Sequence, residues 1–351
     1  MKRWNRWNRW KQWNRWKQWT AVLLCLLLLC NSTMPAFAAA KNKDTTADYT
    51  AISRVVDELA PVLAKTSAKP GAIGGEWRVM GLARSSETVA ASYYDTYYKA
   101  LKAQLKQKKG VLHERKYTEY SRTVLALAAM GRNPANVNGY NLLTPLGDYK
   151  ATVQQGLNGA VFALLALDSK NYKMPVNKSA KVKATRKLYV NYILGKELTG
   201  GGWALSGKNA DADVTAMVLQ ALAPYRAGNK KVQAAVDRGV KKLSAMQNAK
   251  GGFTMNNTTA SESTAQVLVA LAALGIDWND SRFVKKGNST VDHLLSCYVK
   301  GKGFVHTAGG DVNTMATEQA FYALVAAERY YTGKNSLYDM TAEAKTAQKG
   351  M

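Results

Sequence analysis

The sequence predicts an all-α protein of six helical hairpins arranged as a closed double ring. Apolar residues recur with helical spacing almost continuously from residue 50, and the alternation typical of β-strands is absent. Helices that are apolar on all faces alternate with amphipathic helices, as expected for an inner and an outer layer. A unit of about 50 residues also repeats, because Ala221, Ala270 and Ala323 in three similar segments are spaced by 49 and 53 residues.

Each hairpin is predicted to have an outer helix followed by an inner one. Inner segments such as 123–130 carry no charged residue, whereas the outer segment 232–243 has Lys, Arg and Gln on one face. Six pairs favour a closed ring over a solenoid, which would need polar end caps. The first three predicted pairs, in chain order, are 51–65 with a helix that begins at Gly75-Glu76-Trp77, 93–108 with 117–130, and 142–155 with 158–168. In the last three pairs, the outer helices 185–198, 232–247 and 284–299 each precede one of the three repeated inner helices.

Residues 1–38 have the features of a secretory signal peptide. Seven basic residues precede an apolar run over 21–30, and the small-x-small site Ala36-Phe37-Ala38 follows. The apolar run is shorter than the roughly 20 residues of a membrane-spanning helix. Six Trp at three-residue spacing could favour a membrane interface, or could belong to an extended basic region that is removed. We expect a secreted or cell-surface protein with a flexible N-terminus over 39–48, a helical domain over 49–340 and a short tail over 341–351.

The chain is strongly basic. Its formal net charge is +25, and removing the seven basic leader residues would leave +18. This charge favours anionic cell-wall polymers or membrane surfaces, although a solvated basic surface without a partner would have the same composition. No nucleic-acid-binding module is recognisable, so no specific nucleic-acid partner is predicted.

The cysteine and histidine content predicts neither a disulfide nor a metal site. Cys297 is the one cysteine outside the leader, and we interpret it as a small buried residue. The three histidines are dispersed along the chain at His113, His293 and His306.

Carboxylates and aromatic residues recur at the beginnings of the inner helices. If these helices run parallel, their N-termini converge on one mouth, where free N–H groups and positive dipole ends favour anionic groups. Two interpretations remain open: a polar cluster at the entrance of an apolar pocket, or helix caps with aromatic residues that fill gaps. The candidate ligand-binding residues are Trp77, Trp203, Asp211, Asp213, Phe253, Glu262, Phe304, His306 and Glu318.

The segment Gln247-Asn248-Ala249-Lys250-Gly251-Gly252-Phe253 resembles the Gln-x-x-x-Gly-x-aromatic repeat of the prenyltransferase and squalene-oxidase-type superfamily. The resemblance runs from Gly75-Glu76-Trp77 through Gln155-Gly156-Leu157-Asn158-Gly159 to Met315-Ala316-Thr317-Glu318-Gln319 and Asn335-Ser336-Leu337-Tyr338-Asp339-Met340. It is closest to secreted or surface proteins of Gram-positive bacteria. It implies an (α/α)6 toroid. The superfamily includes terpene cyclases, protein prenyltransferases and the helical domain of cobalamin carriers, so the resemblance does not define an activity.

Two enzymatic interpretations centre on carboxylic acids. Class II terpene cyclases protonate an isoprenoid through an Asp-x-Asp-Asp-Thr motif, which Asp211-Ala212-Asp213-Val214-Thr215 resembles except that Val214 replaces the last Asp. Carbohydrate-active proteins of this architecture could use two carboxylates across the mouth. Asp213 and Glu262 are the catalytic candidates, and they are the pair to test for the second interpretation.

The favoured hypothesis is a non-catalytic binding module with a pocket for a small molecule or a partner at the mouth of the toroid. No cofactor is predicted beyond a cobalamin-like ligand, which the resemblance to cobalamin carriers implies. Those carriers clamp their ligand with a second β-domain, so ligand capture is expected to need a partner. The alternative is an enzyme that acts on an isoprenoid or glycan through acids at the same mouth.

Overall fold

The computed structural model of the chain describes residues 43–255 and 258–342. Within these residues the protein is predominantly helical, which confirms the predicted all-α class. None of the helices in this part of the chain combines the length and apolarity that a membrane-spanning helix needs. The predicted signal peptide, 1–38, lies outside the described residues, as does most of the predicted tail over 341–351.

In the described ranges, six helices are buried over most of their length, and we call them the inner helices. They are α2 (Glu76–Arg84), α4 (Thr118–Ala129), α6 (Gly156–Asp168), α8 (Ala212–Leu222), α10 (Ser261–Leu274) and α12 (Thr314–Tyr331). Six further helices alternate with them along the chain, and we call these the outer helices. They are α1 (Lys43–Ala64), α3 (Ala91–Gln107), α5 (Tyr149–Val153), α7 (Arg186–Leu194), α9 (Lys230–Met246) and α11 (Thr290–Ser296).

The inner helices pack in a cyclic order. Each one packs against the next in the chain, and α12 packs against α2. Outer helices lie on this inner set, with α7 against α6, α9 against α8 and α11 against α10. Helix α9 shows why an outer helix packs on an inner one. Its residues Val232, Val236 and Leu243 are buried on one face, while Asp237 and Lys241 on the other face are exposed.

Contacts between corresponding ends show that neighbouring inner helices run parallel. At their N-terminal ends, Arg78 of α2 lies beside Glu318 of α12, and Gln155 before α6 accepts a hydrogen bond from the Thr118 amide of α4. At the C-terminal ends, the hydroxyl of Tyr225, just after α8, donates to Asp168 of α6 at 2.6 Å. The beginnings of the inner helices therefore share one face of the molecule.

A segment over 335–341, which we call the strap, crosses the C-terminal ends of the inner helices. The guanidinium of Arg84 in α2 donates to the carbonyls of Ser336, Leu337 and Asp339 at 2.8 to 3.0 Å. Beyond these contacts, the Met340 amide donates to the Ser169 carbonyl after α6 at 2.8 Å. The strap thus connects α12 to both α2 and α6.

Among the described residues, the β-strands form two short antiparallel hairpins. Strand β1 (Thr254–Met255) pairs with β2 (Thr258–Thr259), with Thr254 opposite Thr259. Strand β3 (Tyr298–Val299) pairs with β4 (Gly303–Phe304), with Tyr298 opposite Phe304. Both hairpins lie in loops that lead from an outer helix to the following inner helix.

Three boundaries differ from the sequence prediction for identifiable reasons. Helix α1 begins at Lys43 rather than 51, so residues 43–48 are helical, and Asp48 in this turn accepts a hydrogen bond from Trp278 Nε1 at 3.0 Å. The predicted helix over 142–155 contains a 3-10 turn with Pro145 in its first turn, and α5 starts after it. The helix predicted over 284–299 starts at Thr290, where Ser289 and Asp292 form a capping box.

Candidate ligand-binding site

The N-terminal ends of the inner helices form a face that we call the mouth. Although these helices are mostly buried, some positions in their first two turns are partly exposed. Asn158 and Phe162 on α6 are one such pair, and Asp213 and Met217 on α8 are another. A spacing of four residues places both members of a pair on one helix face. The first two turns of α6 and α8 therefore present one partly exposed side each.

Two ion pairs join α2 to its neighbours at the mouth. Arg78 Nε lies 3.3 Å from Glu318 Oε1, and Arg122 Nε of α4 lies 3.5 Å from Glu76 Oε2. Arg122 also pairs with Glu119 in its own helix. The side chains of Arg78 and Glu318 are 8% and 4% exposed, so each charge depends on the other in a region with little water.

Burial raises the pKa of both Glu76 and Glu318 above the usual range, although the adjacent arginines lower these pKa values in part. Glu76 also accepts hydrogen bonds from the Gly71 amide at 2.8 Å and the Tyr97 hydroxyl at 3.1 Å. Tyr97 belongs to the outer helix α3. Glu76 therefore connects α2 to the preceding loop and to an outer helix, which is a structural role.

Asp211 and Asp213 have different roles despite their proximity. The carboxylate of Asp211 accepts hydrogen bonds from the amides of Asp213 at 2.9 Å and Val214 at 3.2 Å, so Asp211 is the N-cap of α8. Asp213 lies in the first turn, and its Oδ1 is buried without a hydrogen-bond partner in the part of the chain that the structure describes. The helix-cap interpretation thus applies to Asp211 and not to Asp213.

The surroundings of Asp213 favour its protonated form. Burial raises its pKa most, and the charges of Asp211 and Glu262 raise this pKa further, while a hydrogen bond from Ser263 lowers it. Among the described residues, no ion pair reaches Asp213. Its side of the mouth therefore contains a carboxyl group that is not neutralised by an arginine.

Glu262 and His306 meet at the rim of the mouth. His306 Nδ1 lies 2.8 Å from Glu262 Oε2, and the imidazole is 51% exposed. The backbone beneath is fixed, because the Ser261 amide donates to the His306 carbonyl at 2.9 Å and the Ser261 hydroxyl to the Val305 carbonyl at 2.7 Å. This pair offers a polar edge to a molecule entering from solvent.

A chain of buried amides links three consecutive inner helices below the mouth. Gln220 Nε2 of α8 donates to Gln266 Oε1 of α10 at 3.1 Å, and Gln266 Nε2 donates to Gln319 Oε1 of α12 at 2.8 Å. Gln266 also hydrogen-bonds to the Tyr322 hydroxyl. Hydrogen-bonded chains of this kind fix the relative register of the helices that carry them.

Aromatic side chains form an apolar surface at the mouth. The ring of Trp77 lies 5.6 Å from the ring of Phe162 and 5.9 Å from that of Tyr322. Trp77 therefore reaches from α2 to α6, which is not its neighbour in the cyclic order. Trp77 and Phe162 are both partly exposed, so they offer apolar area to a ligand.

The other three predicted aromatic residues, Trp203, Phe253 and Phe304, are completely buried and do not line the mouth. Trp203 Nε1 donates to the Ile193 carbonyl of the outer helix α7 at 2.8 Å. In two repeats the amide of the aromatic residue donates to a threonine in the next inner helix. These contacts are Trp203 to Thr215 and Phe304 to Thr317, both at 2.9 Å. The gap-filling interpretation accounts for these three side chains.

The repeated glycine motif is also structural. Gln247 Nε2 donates to the carbonyls of Gly251 at 3.0 Å and Phe283 at 2.8 Å, which closes the loop. Gly251 has φ of +82°, and a Cβ there would lie 2.0 Å from the Ser289 carbonyl oxygen. Only glycine fits this close approach without a shift of the backbone.

The residues that the sequence prediction missed at the mouth are Arg78, Arg122, Phe162, Gln266 and Tyr322. An arginine inside the apolar segment Trp77-Arg78-Val79-Met80 is a usable signal, because a charge in a buried helix requires a partner. Phe162 gives no such signal, since its helix is apolar on every face.

Cys297 is a buried free thiol whose pKa is raised by burial. Within residues 43–255 and 258–342, no three His, Cys, Asp or Glu side chains are grouped so as to hold a metal ion.

No protein-family model matches the chain, and no curated protein matches it significantly.

Proposed function

We propose that this chain is a secreted or cell-surface binding protein, that its helices form an (α/α)6 toroid, and that a small molecule binds at the mouth. The cyclic packing order of the inner helices supports the toroid, and the signal-like leader supports secretion. The resemblance of the repeat to the prenyltransferase and squalene-oxidase-type superfamily is consistent with both.

The observation that carries the proposal is the buried, unpartnered Oδ1 of Asp213. Leaving a buried polar atom without a hydrogen bond costs about 1–3 kcal/mol, so such atoms in native proteins are few. Glu76 and Glu318 differ from Asp213 because each of them has an arginine beside its carboxylate. A ligand that donates a hydrogen bond to Asp213 would satisfy the remaining oxygen.

An apolar surface lies at the same mouth as this carboxyl group. Burial raises the pKa of Tyr322 most, and the charges of Tyr338, Glu318 and Asp213 raise this pKa further, while a hydrogen bond with Gln266 lowers it. Tyr322 in turn packs against Trp77. The proposed ligand therefore has an apolar part that rests on Trp77 and Phe162, and a hydrogen-bond donor or positive charge that faces Asp213.

The test is co-purification. Wild-type protein and the Asp213→Asn variant are purified from the native culture, and bound small molecules are identified by mass spectrometry. We expect the wild type to retain a molecule that Asp213→Asn loses, because the amide is a weaker acceptor than a carboxylate and adds a competing donor. Thermal unfolding of both proteins establishes that the variant is folded.

The matched control is Asp95→Asn, which changes a carboxylate that is 60% exposed in an ion pair with Arg132. This variant should retain the ligand. Equal retention by Asp213→Asn and wild type, or no bound molecule in the wild type, would contradict the proposal.

One observation favours the enzymatic alternative. A carboxyl group with a raised pKa is suited to donate a proton, and Asp213 has such a pKa beside Glu262 and aromatic side chains. Protonation of an isoprenoid double bond or of a glycosidic oxygen would use Asp213 as the acid. Turnover of polyprenyl or glycan substrates that Asp213→Asn abolishes would support this function over binding alone.

A further inference from the structure

A cavity of about 510 Å³ lies at the opposite end of the inner helices from the mouth. Leu165 of α6, Gln220 and Ala221 of α8 and Ala273 of α10 line it, and Tyr338 in the strap forms part of another wall. Pockets for small organic ligands in proteins have volumes of about 300–1,000 Å³ and largely apolar walls. The size and lining of this cavity fit that class.

The walls of the cavity are held in place by the protein itself. Arg84 fixes the strap through three carbonyl groups, and the Met340 amide bonds to α6 through the Ser169 carbonyl. Leu337 and Met340 are almost completely buried. A cavity formed by such tightly fixed segments needs little rearrangement to accept a molecule, which favours binding.

Most polar groups that line the cavity already have partners. Asp168 accepts hydrogen bonds from Arg186 Nε and the Tyr225 hydroxyl, both at 2.6 Å. Asp339 accepts from the amide and hydroxyl of Thr341 at 3.0 and 2.6 Å. Because these carboxylates already accept hydrogen bonds within the protein, the cavity does not require a charged ligand.

Gln220 differs from these groups. Its side chain is only 2% exposed, and Nε2 donates to the carbonyl and to Oε1 of Gln266 at 2.9 and 3.1 Å. Its Oε1 is buried and has no partner within the described chain. An acceptor in this state calls for a donor, and Gln220 is one of the residues that line the cavity.

We propose that this cavity is a second binding site, separate from the mouth, for a small neutral molecule with an apolar body. The molecule donates one O–H or N–H hydrogen bond to Gln220 Oε1. Its apolar body packs against Leu165, Ala273 and Tyr338. The site does not depend on the function proposed for the mouth, since it uses none of the candidate residues there.

The test uses two probes with the same body, 2-phenylethanol and its methyl ether, of which only the alcohol can donate a hydrogen bond. Their dissociation constants are measured by NMR titration of the purified protein. We expect the alcohol to bind about 3- to 10-fold more tightly than the ether, the effect of one neutral hydrogen bond. Gln220→Met should bring the two constants together, because it removes the acceptor and keeps a side chain of similar length.

A second variant tests the cavity without touching Gln220. Ala273→Phe places a ring in the cavity and should weaken both probes more than about 10-fold. Ala103→Phe, at an exposed position of α3, is the control and should leave both constants unchanged. The proposal is overturned if the wild type binds neither probe saturably, if it binds both equally, or if Ala273→Phe binds them as the wild type does.

Discussion

The carboxyl groups at the mouth differ in what their neighbours supply. Glu318 and Glu76 lie beside Arg78 and Arg122, and each ion pair crosses from one inner helix to the next. Asp213 is surrounded instead by other acids, Asp211 and Glu262, and by the hydroxyl of Ser263. Its carboxyl group is therefore expected to lower the stability of the ligand-free protein at neutral pH.

Asp213→Asn should raise the free energy of unfolding at about pH 7 and change it little at about pH 3. The pKa of Asp213 in the folded protein is raised from the ordinary value of 3.8. Below that value both states hold the proton, so the carboxyl group adds no pH dependence. As the pH rises through 3.8, the unfolded chain releases the proton before the folded chain does, and the wild type loses stability. Urea unfolding of ligand-free protein at both pH values measures the difference.

Asp95→Asn, at an exposed carboxylate, is the control. It should change the free energy of unfolding by similar small amounts at about pH 7 and about pH 3. If Asp213→Asn were less stable than the wild type at neutral pH, the ionised carboxylate would be a structural partner.

At the scale of elements, the loops between helices depend on glycine for two separable reasons. Gly251 and Gly287 have the same φ of +82°, but only at Gly251 would a Cβ collide, at 2.0 Å from the Ser289 oxygen. At Gly287 a Cβ would meet no atom within 4 Å. We expect Gly287→Ala to cost about 1–2 kcal/mol through backbone strain alone. Gly251→Ala should lower the free energy of unfolding by about 1–3 kcal/mol more than Gly287→Ala does, because of overpacking.

Urea unfolding of both glycine variants at one pH gives the comparison. Equal losses would mean that the loop at Gly251 moves freely enough to absorb the added methyl group.

The inner helices were predictable because a segment that is apolar on every face has to be buried wherever it occurs. Their outer partners were harder to delimit, since Pro145 and the Ser289 capping box shorten helices whose apolar periodicity continues. The hairpin that pairs Thr254 with Thr259 was missed because two-residue strands are too short to show alternation. Residues 43–48 were expected to be flexible, since their polar composition does not reveal the contact between Asp48 and Trp278.

At the scale of the whole molecule, the partners at the mouth come from distant parts of the sequence. The sequence places carboxylates at the beginnings of inner helices, but which of them is neutralised depends on packing. Arg78 meets Glu318 only because α12 packs against α2, and 240 positions separate the two residues. The distinction between a paired Glu318 and an unpartnered Asp213 oxygen was therefore outside the reach of the sequence.

The contact between α2 and α12 should control the stability of the whole domain. A Cβ at Gly81 would lie 3.1 Å from Phe321 and 3.4 Å from the Tyr322 Cβ, so Gly81→Val should force the two helices apart. We expect Gly81→Val to lower the free energy of unfolding by about 1–3 kcal/mol. Unfolding should remain a single transition with an unchanged dependence on urea, and circular dichroism and tryptophan fluorescence should agree.

Ala103→Val, at an exposed helical position, measures the cost of a β-branched residue alone. Two separate transitions for Gly81→Val would show that the helices unfold independently, as in an open solenoid.

The strap has a consequence for the order in which the protein acquires its structure during synthesis. Arg84 leaves the ribosome 253 residues before Leu337, the carbonyl of which it later binds. Until that segment is made, the guanidinium has to stay hydrated, and α2 lacks both the strap and α12. The strap therefore cannot join α12 to α2 and α6 until residues 335–341 have been synthesised, so these contacts form late in the folding of the domain.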